Sequence, residues 1–203
     1  MKKLHSIFLD RAVWAALIAS LPAFWAHSAD FKTEPDKSMA AAHDSFVKGN
    51  LDKASADLTK AGDFVKRQSE DVAEGSKEGM KKAGDELDKL GAGVKDGTVK
   101  SGDEMKKTFA KVDHEIASCW HKTADESRKA GKDSTAALSK AGAALENSAN
   151  WSGHQLSEGA KASVNAVKKA GKATSEGAKS GAEAVDKWFK SIGDGIDDLG
   201  KKL

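Results

Sequence analysis

Val185-Asp186-Lys187-Trp188-Phe189-Lys190-Ser191-Ile192-Gly193-Asp194-Gly195-Ile196-Asp197-Asp198-Leu199-Gly200-Lys201-Lys202-Leu203 is the stretch whose reading decides the fold. Val185, Trp188, Phe189, Ile192, Ile196, Leu199 and Leu203 recur at intervals of three and four. That spacing puts them on one face of an α-helix, whereas a half-buried strand would alternate every second residue. Lys187, Lys190, Lys201 and Lys202 flank the stripe, as on a helix that lies at a membrane interface. Asp194, Asp197 and Asp198 work against an anionic surface. Val185, Trp188, Phe189, Ile192, Ile196 and Leu199 are therefore the expected contact residues. They serve a membrane surface, another protein or a second copy of the chain, or they pack on the chain's own helices.

The same periodicity extends towards the N-terminus. Leu145, Leu156, Val167, Ala178 and Phe189 stand eleven apart, with small or apolar residues at intermediate positions such as Ala149, Ala160, Ala182 and Val185. An earlier block places Leu87, Phe109 and Trp120 in one row and Val94, Met105 and Ile116 in another. Eleven residues fill about three helical turns, so such a stripe runs nearly straight along a long helix. The two blocks differ in phase, and Gly131-Lys132-Asp133-Ser134 marks the break with a glycine stop and cap residues. Gly91-Ala92-Gly93 and Asn150-Trp151-Ser152-Gly153 are further expected bends.

Nearer the N-terminus a short helix is expected from Asp36 to Val47, opened by Pro35 and stopped by Gly49-Asn50. A second starts at Leu51 and carries Ala54, Leu58, Ala61, Phe64 and Val65 on one face. The chain has two prolines, neither beyond position 35, and no tyrosine. With β-branched and aromatic residues this sparse, the mature chain reads as all-α. Its expected segments are a helical hairpin over 30–66, hendecad regions over 67–131 and 132–183, and an amphipathic helix over 184–203.

The first 29 residues read as a signal peptide. Lys2, Lys3 and Arg11 precede an apolar run from Ala12 to Ala26, and small residues allow cleavage after Ser28 or Ala29. The run falls short of the ~20 residues that span a bilayer, so export to the periplasm or outside is favoured over an uncleaved anchor. The chain holds 33 basic and 31 acidic side chains, and removal of Lys2, Lys3, Arg11 and Asp10 leaves 30 of each. A neutral chain lacks the basic excess that nucleic-acid binding requires. Cys119 is the one cysteine, which excludes an intramolecular disulfide.

The oily face is built from undersized residues. Many of its positions are Ala, Gly, Ser or Thr, and the chain has 19 glycines. Each glycine inside a helix costs about 1 kcal/mol relative to alanine. Either the helices approach one another closely through these residues, or the chain is loosely folded alone. The composition points to the second, with folding completed on a surface, on a partner or on drying.

Residues 168–179 (Lys168-Lys169-Ala170-Gly171-Lys172-Ala173-Thr174-Ser175-Glu176-Gly177-Ala178-Lys179) and 78–87 resemble the eleven-residue motif of group 3 late embryogenesis abundant proteins. The periodicity is similar to that of the exchangeable apolipoproteins. This resemblance spans about residues 70–200 and implies a hydrophilic stress protectant that gains helix on desiccation or at membranes. Ala40 to Ala61 resembles one tetratricopeptide unit, with no second copy following. Trp120, Trp151, Trp188 and Phe189 are larger anchors than the stress-protein pattern carries.

Candidate chemistry is confined to one cluster. On a helix, His114 and His121 stand seven apart with Asp125 four further, so the three share a face that could ligate a divalent metal. The plainer reading is a solvated polar face, because three ligands on one helix do not close a tetrahedral shell. Cys119 reads as a small core residue. Paired carboxylates are read as solvent-facing. Asn150-Trp151-Ser152 fits a glycosylation sequon. No P-loop, dinucleotide fingerprint or nucleophile elbow occurs, and no cofactor is expected. The expected function is non-enzymatic, a protective or structural role at the cell envelope. The alternative is a compact helical-bundle binding module for a protein or small ligand.

Overall fold

A computed structural model describes residues 34–175 and 181–203, with the side chains of 172–175 left out of the description. The expected signal peptide, residues 1–29, lies outside the described residues, as does Ala178 of the eleven-residue row. Among the described residues there are seven α-helices and no strand. They are α1 (Glu34–Val47), α2 (Leu51–Gln68), α3 (Lys77–Lys95), α4 (Gly102–Lys129), α5 (Thr135–Ser152), α6 (Glu158–Ser175) and α7 (Ala182–Gly200), with a 3-10 turn at Glu74–Ser76 before α3. The all-α reading holds.

Local chemistry explains where the helices stop and start. Asn50 caps α2 by accepting a hydrogen bond from the Lys53 amide at 3.3 Å. Ser101 caps α4 by accepting from the Glu104 amide at 3.2 Å, and Glu104 accepts from the Lys100 amide at 3.0 Å. This is a capping box shifted by one residue. The break expected at Gly131 is present. Gly131 takes φ +67°, Lys132 N–H donates to the Ser127 carbonyl and Gly131 N–H to that of Arg128. These two bonds make a Schellman stop.

The bend expected at Gly91-Ala92-Gly93 is not there. All three lie inside α3, and the turn falls at Gly97, where φ is +66° and Thr98 N–H reaches the Gly93 carbonyl. Gly91 serves packing instead: a Cβ added to it would lie 3.3 Å from Leu58 Cβ and from the Ser55 carbonyl of α2.

Each helix packs on the next. α1 also meets α4, and α7 returns to meet α4 and α5. Helix α4 is thus shared by two four-helix rings, α1–α4 and α4–α7. Its side chains Met105, Phe109, Ile116 and Trp120 are buried in the core.

Leu145, Leu156 and Val167 of the eleven-residue row are buried and Phe189 is partly buried, but the row does not run along one rod. Leu145 lies in α5, Leu156 in the turn after it, Val167 in α6 and Phe189 in α7, so that row folds back on itself. The positive-φ glycines Gly131 and Gly153 end helices inside the pattern, and the stripe is buried against neighbouring helices. The eleven-residue stripe therefore runs over several helices of the bundle rather than along one continuous helix.

Of the two options left by the undersized face, the helices take close approach. Gly62 of α2 and Gly84 of α3 face each other so tightly that a Cβ on either would sit 2.8 Å from the other's carbonyl oxygen. Beside this crossing, Lys66 binds both Asp85, at 2.8 Å, and Asp88.

Candidate functional site

The α4 face expected to be solvated or metal-binding is turned towards α7. His114 Nε2 lies 2.9 Å from the Ile196 carbonyl, and His121 Nε2 lies 3.0 Å from that of Phe189. A carbonyl only accepts, so each Nε2 carries the proton and donates. The carbonyls are reachable because the residues four positions on, Gly200 and Gly193, have no side chain to cover them. A Cβ there would stand 2.8 Å and 3.0 Å from the imidazoles. His121 also stacks on Phe189, ring centroids 4.1 Å apart, and the Arg128 guanidinium lies 4.3 Å from that ring's centroid. Asp125 pairs with Lys129 instead of joining the histidines. Among the described residues no group of three or more His, Cys, Asp or Glu is placed to hold a metal ion. The polar face is thus a clasp for α7, because two seven-residue spacings, His114/His121 and Gly193/Gly200, coincide across an antiparallel pair.

The expected contact residues of α7 divide in two. Ile192, Ile196 and Leu199 are buried, while Val185, Trp188 and Phe189 are partly buried against the same core. Cys119 is buried, with Sγ 3.4 Å from the Ser76 carbonyl. Burial, with the Glu115 charge second, pushes its thiol up to about 12.

One arrangement departs from the expectation that paired carboxylates face solvent. Asp113 of α4 is 1 % exposed and meets Asp36 from the first turn of α1. The Trp151 indole of α5 hydrogen-bonds Asp113, and the Asn147 amide hydrogen-bonds Asp36. Asp36 Oδ1 and Asp113 Oδ2 are buried with no hydrogen-bond partner among the described residues. Both carboxylates line a cavity of about 10 Å³, walled by Pro35, Ile116, Ala143, Ala144 and Asn147. That is room for one water-sized group. Asp36 and Asn147 also line an outer groove of about 550 Å³, formed with Ala40, Lys106, Asn150, Trp151, Ser152 and Gly153.

The electrostatics follow from burial. Desolvation raises Asp36 to about 6, against the Asn147 hydrogen bond and the charge of Lys168 on α6. Asp113 is pushed well above the carboxylate range by desolvation and then by the charge of Asp36, against the Trp151 bond. The sequence held one signal for this site: Asp113 falls between Phe109 and Ile116 on the apolar stripe of α4, where a charge is out of place.

A larger hollow of about 720 Å³ lies between the α4–α5 turn and the start of α7. Its walls are Asp125, Arg128, Lys129 and Lys132 at a turn, with no buried unpaired group, so the α1/α4/α5 groove is the better candidate. Comparison of the chain with protein-family models, with curated proteins and with solved structures finds no match.

Proposed function

We propose that this chain is an exported, non-enzymatic helical-bundle binding module of the cell envelope. It takes a small ligand in the groove between α1, α4 and α5. The observation that carries this reading is Asp113, a buried carboxylate with an unpaired oxygen beneath a groove. Burying such a group costs free energy unless something pairs with it. The surface-protectant reading has less support, since Ile192, Ile196 and Leu199 are spent on the core. Among the described residues, Val47 at 67 % exposure is the large apolar side chain left on the surface.

Circular dichroism of the purified protein tests the module. High helicity with a cooperative thermal transition in plain buffer is expected; a large helical gain only on adding lipid vesicles would return the argument to the protectant. Export is tested by the mass of protein recovered from the periplasm, expected to begin at Ala29 or Asp30.

A further inference from the structure

Resting on the binding-module reading, we propose that the groove takes a small primary amine, its ammonium group seated between Asp36 Oδ1 and Asp113 Oδ2 and its carbon chain lying along Trp151. A primary ammonium has three N–H donors and one positive charge. The cavity offers two orphaned carboxylate oxygens, and Asn147, which hydrogen-bonds Asp36, lines it as well. The volume of about 10 Å³ accommodates one such group.

Other occupants fit less well. Calcium takes six to eight oxygens and magnesium keeps an octahedral shell with several waters. Neither shell can be completed by two carboxylates and one amide in a space this small. A water molecule fits, yet it brings no charge to a buried acidic pair. The groove outside the cavity is where the rest of an amine would lie, with Ala40 and the Trp151 ring as apolar walls and Asn150 and Ser152 as polar ones. Lys106, 3.7 Å from Asp103, also lines the groove, and its charge disfavours a second cationic centre there. A monoamine is therefore preferred over a diamine.

Isothermal titration calorimetry on the purified protein tests this with n-butylamine, 1,4-diaminobutane, tetramethylammonium and n-butanol. Saturable one-site binding of n-butylamine is expected, with the diamine weaker and the other two silent. Asp113→Asn is expected to weaken n-butylamine binding by at least about tenfold, the worth of a hydrogen bond to a charged group, while the chain still melts cooperatively. Asp36→Asn, at the edge of the cavity, gives the same loss and decides the matter if Asp113→Asn fails to fold. Absence of saturable heat with n-butylamine overturns the proposal, as does equal binding of tetramethylammonium or undiminished binding by the folded variants. Tighter binding of the diamine overturns the role given to Lys106. A silent amine series with cooperative melting intact removes the amine and leaves the bundle module standing. Loss of cooperative melting in the unaltered protein removes the module itself.

Discussion

At the level of single residues, Asp113 weighs on stability and is the group on which the proposed amine site rests. An ionised carboxylate without a full set of partners is costly in an apolar core, and a second carboxylate beside it adds repulsion. Asp113→Asn keeps the shape and removes both costs. It is expected to stabilise the protein by about 1–3 kcal/mol at pH 8, measured by denaturant titration. The pH dependence follows from the raised values. Asp36 rises from 3.8 to about 6, so the folded state holds that proton more tightly than the unfolded chain does. Stability from this group is fully present below 3.8 and is lost as pH climbs through 6, a change of roughly 3 kcal/mol at ~1.4 kcal/mol per unit. Asp113 acts in the same sense and carries the loss to higher pH. The melting temperature is therefore expected to fall between pH 5 and pH 8. The slope should flatten in Asp113→Asn, and an unchanged slope would remove the acidic pair as its cause. Exposed Asp85, held low by its hydrogen bond to Lys66, acts oppositely in stronger acid.

Glycines and histidines decide how the helices lie on one another. Gly62 and Gly84 let the α2 and α3 backbones meet, and a Cβ added at Gly84 would meet the Lys66 side chain at 2.6 Å, which can shift, and the Gly62 backbone carbonyl at 2.8 Å, which cannot swing aside. Gly84→Ala is expected to lose about 1–2 kcal/mol, because overpacking exceeds the helix-propensity gain. Gly159, in the first turn of α6 with nothing within 4 Å of an added Cβ, makes the contrast. Gly159→Ala is expected to gain about 0.5–1 kcal/mol, and thermal melts of the two variants should shift in opposite directions. The α7 clasp has its own test. His114→Ala combined with His121→Ala removes two hydrogen bonds worth about 1 kcal/mol each. Hydrogen exchange is expected to speed up in the α7 amides before those of α2 and α3; uniform acceleration would mean that the histidines do not hold α7 in particular.

Across the whole molecule, α4 couples the two rings. Phe109 is fully buried on it and meets the Trp151 ring of α5 edge-on at 5.0 Å, so the α4–α5 contact runs beside the acidic cavity. Phe109→Ala is expected to cost about 3–5 kcal/mol and to lower the melting temperature by roughly 10 °C. Because both rings hang on one helix, fluorescence and circular dichroism should report a single transition at the same temperature. Two transitions would mean that the rings melt separately.

What could be read from the residues and what could not divides along physical lines. The helices, the stop at Gly131 and the helix end before Gly153 follow from local chemistry: hydrogen bonds reach four residues along the chain, and left-handed glycines end them. The apolar stripe likewise marked the buried faces of α2, α4 and α7. Periodicity could not say whether a stripe meets membrane, partner or sibling helix, because a helix face looks the same whatever covers it. Nor could it pair Asp36 with Asp113, or His114 and His121 with the carbonyls of α7. Those meetings depend on the register between helices distant in the chain, and register is decided by which side chains are small enough to let backbones approach. The sequence by itself determined the all-α character and the helix stops at Gly131 and Gly153. Only the tertiary structure decided that α4 is shared, that its histidines clasp α7, and that Asp113 on its oily face meets Asp36 at a cavity.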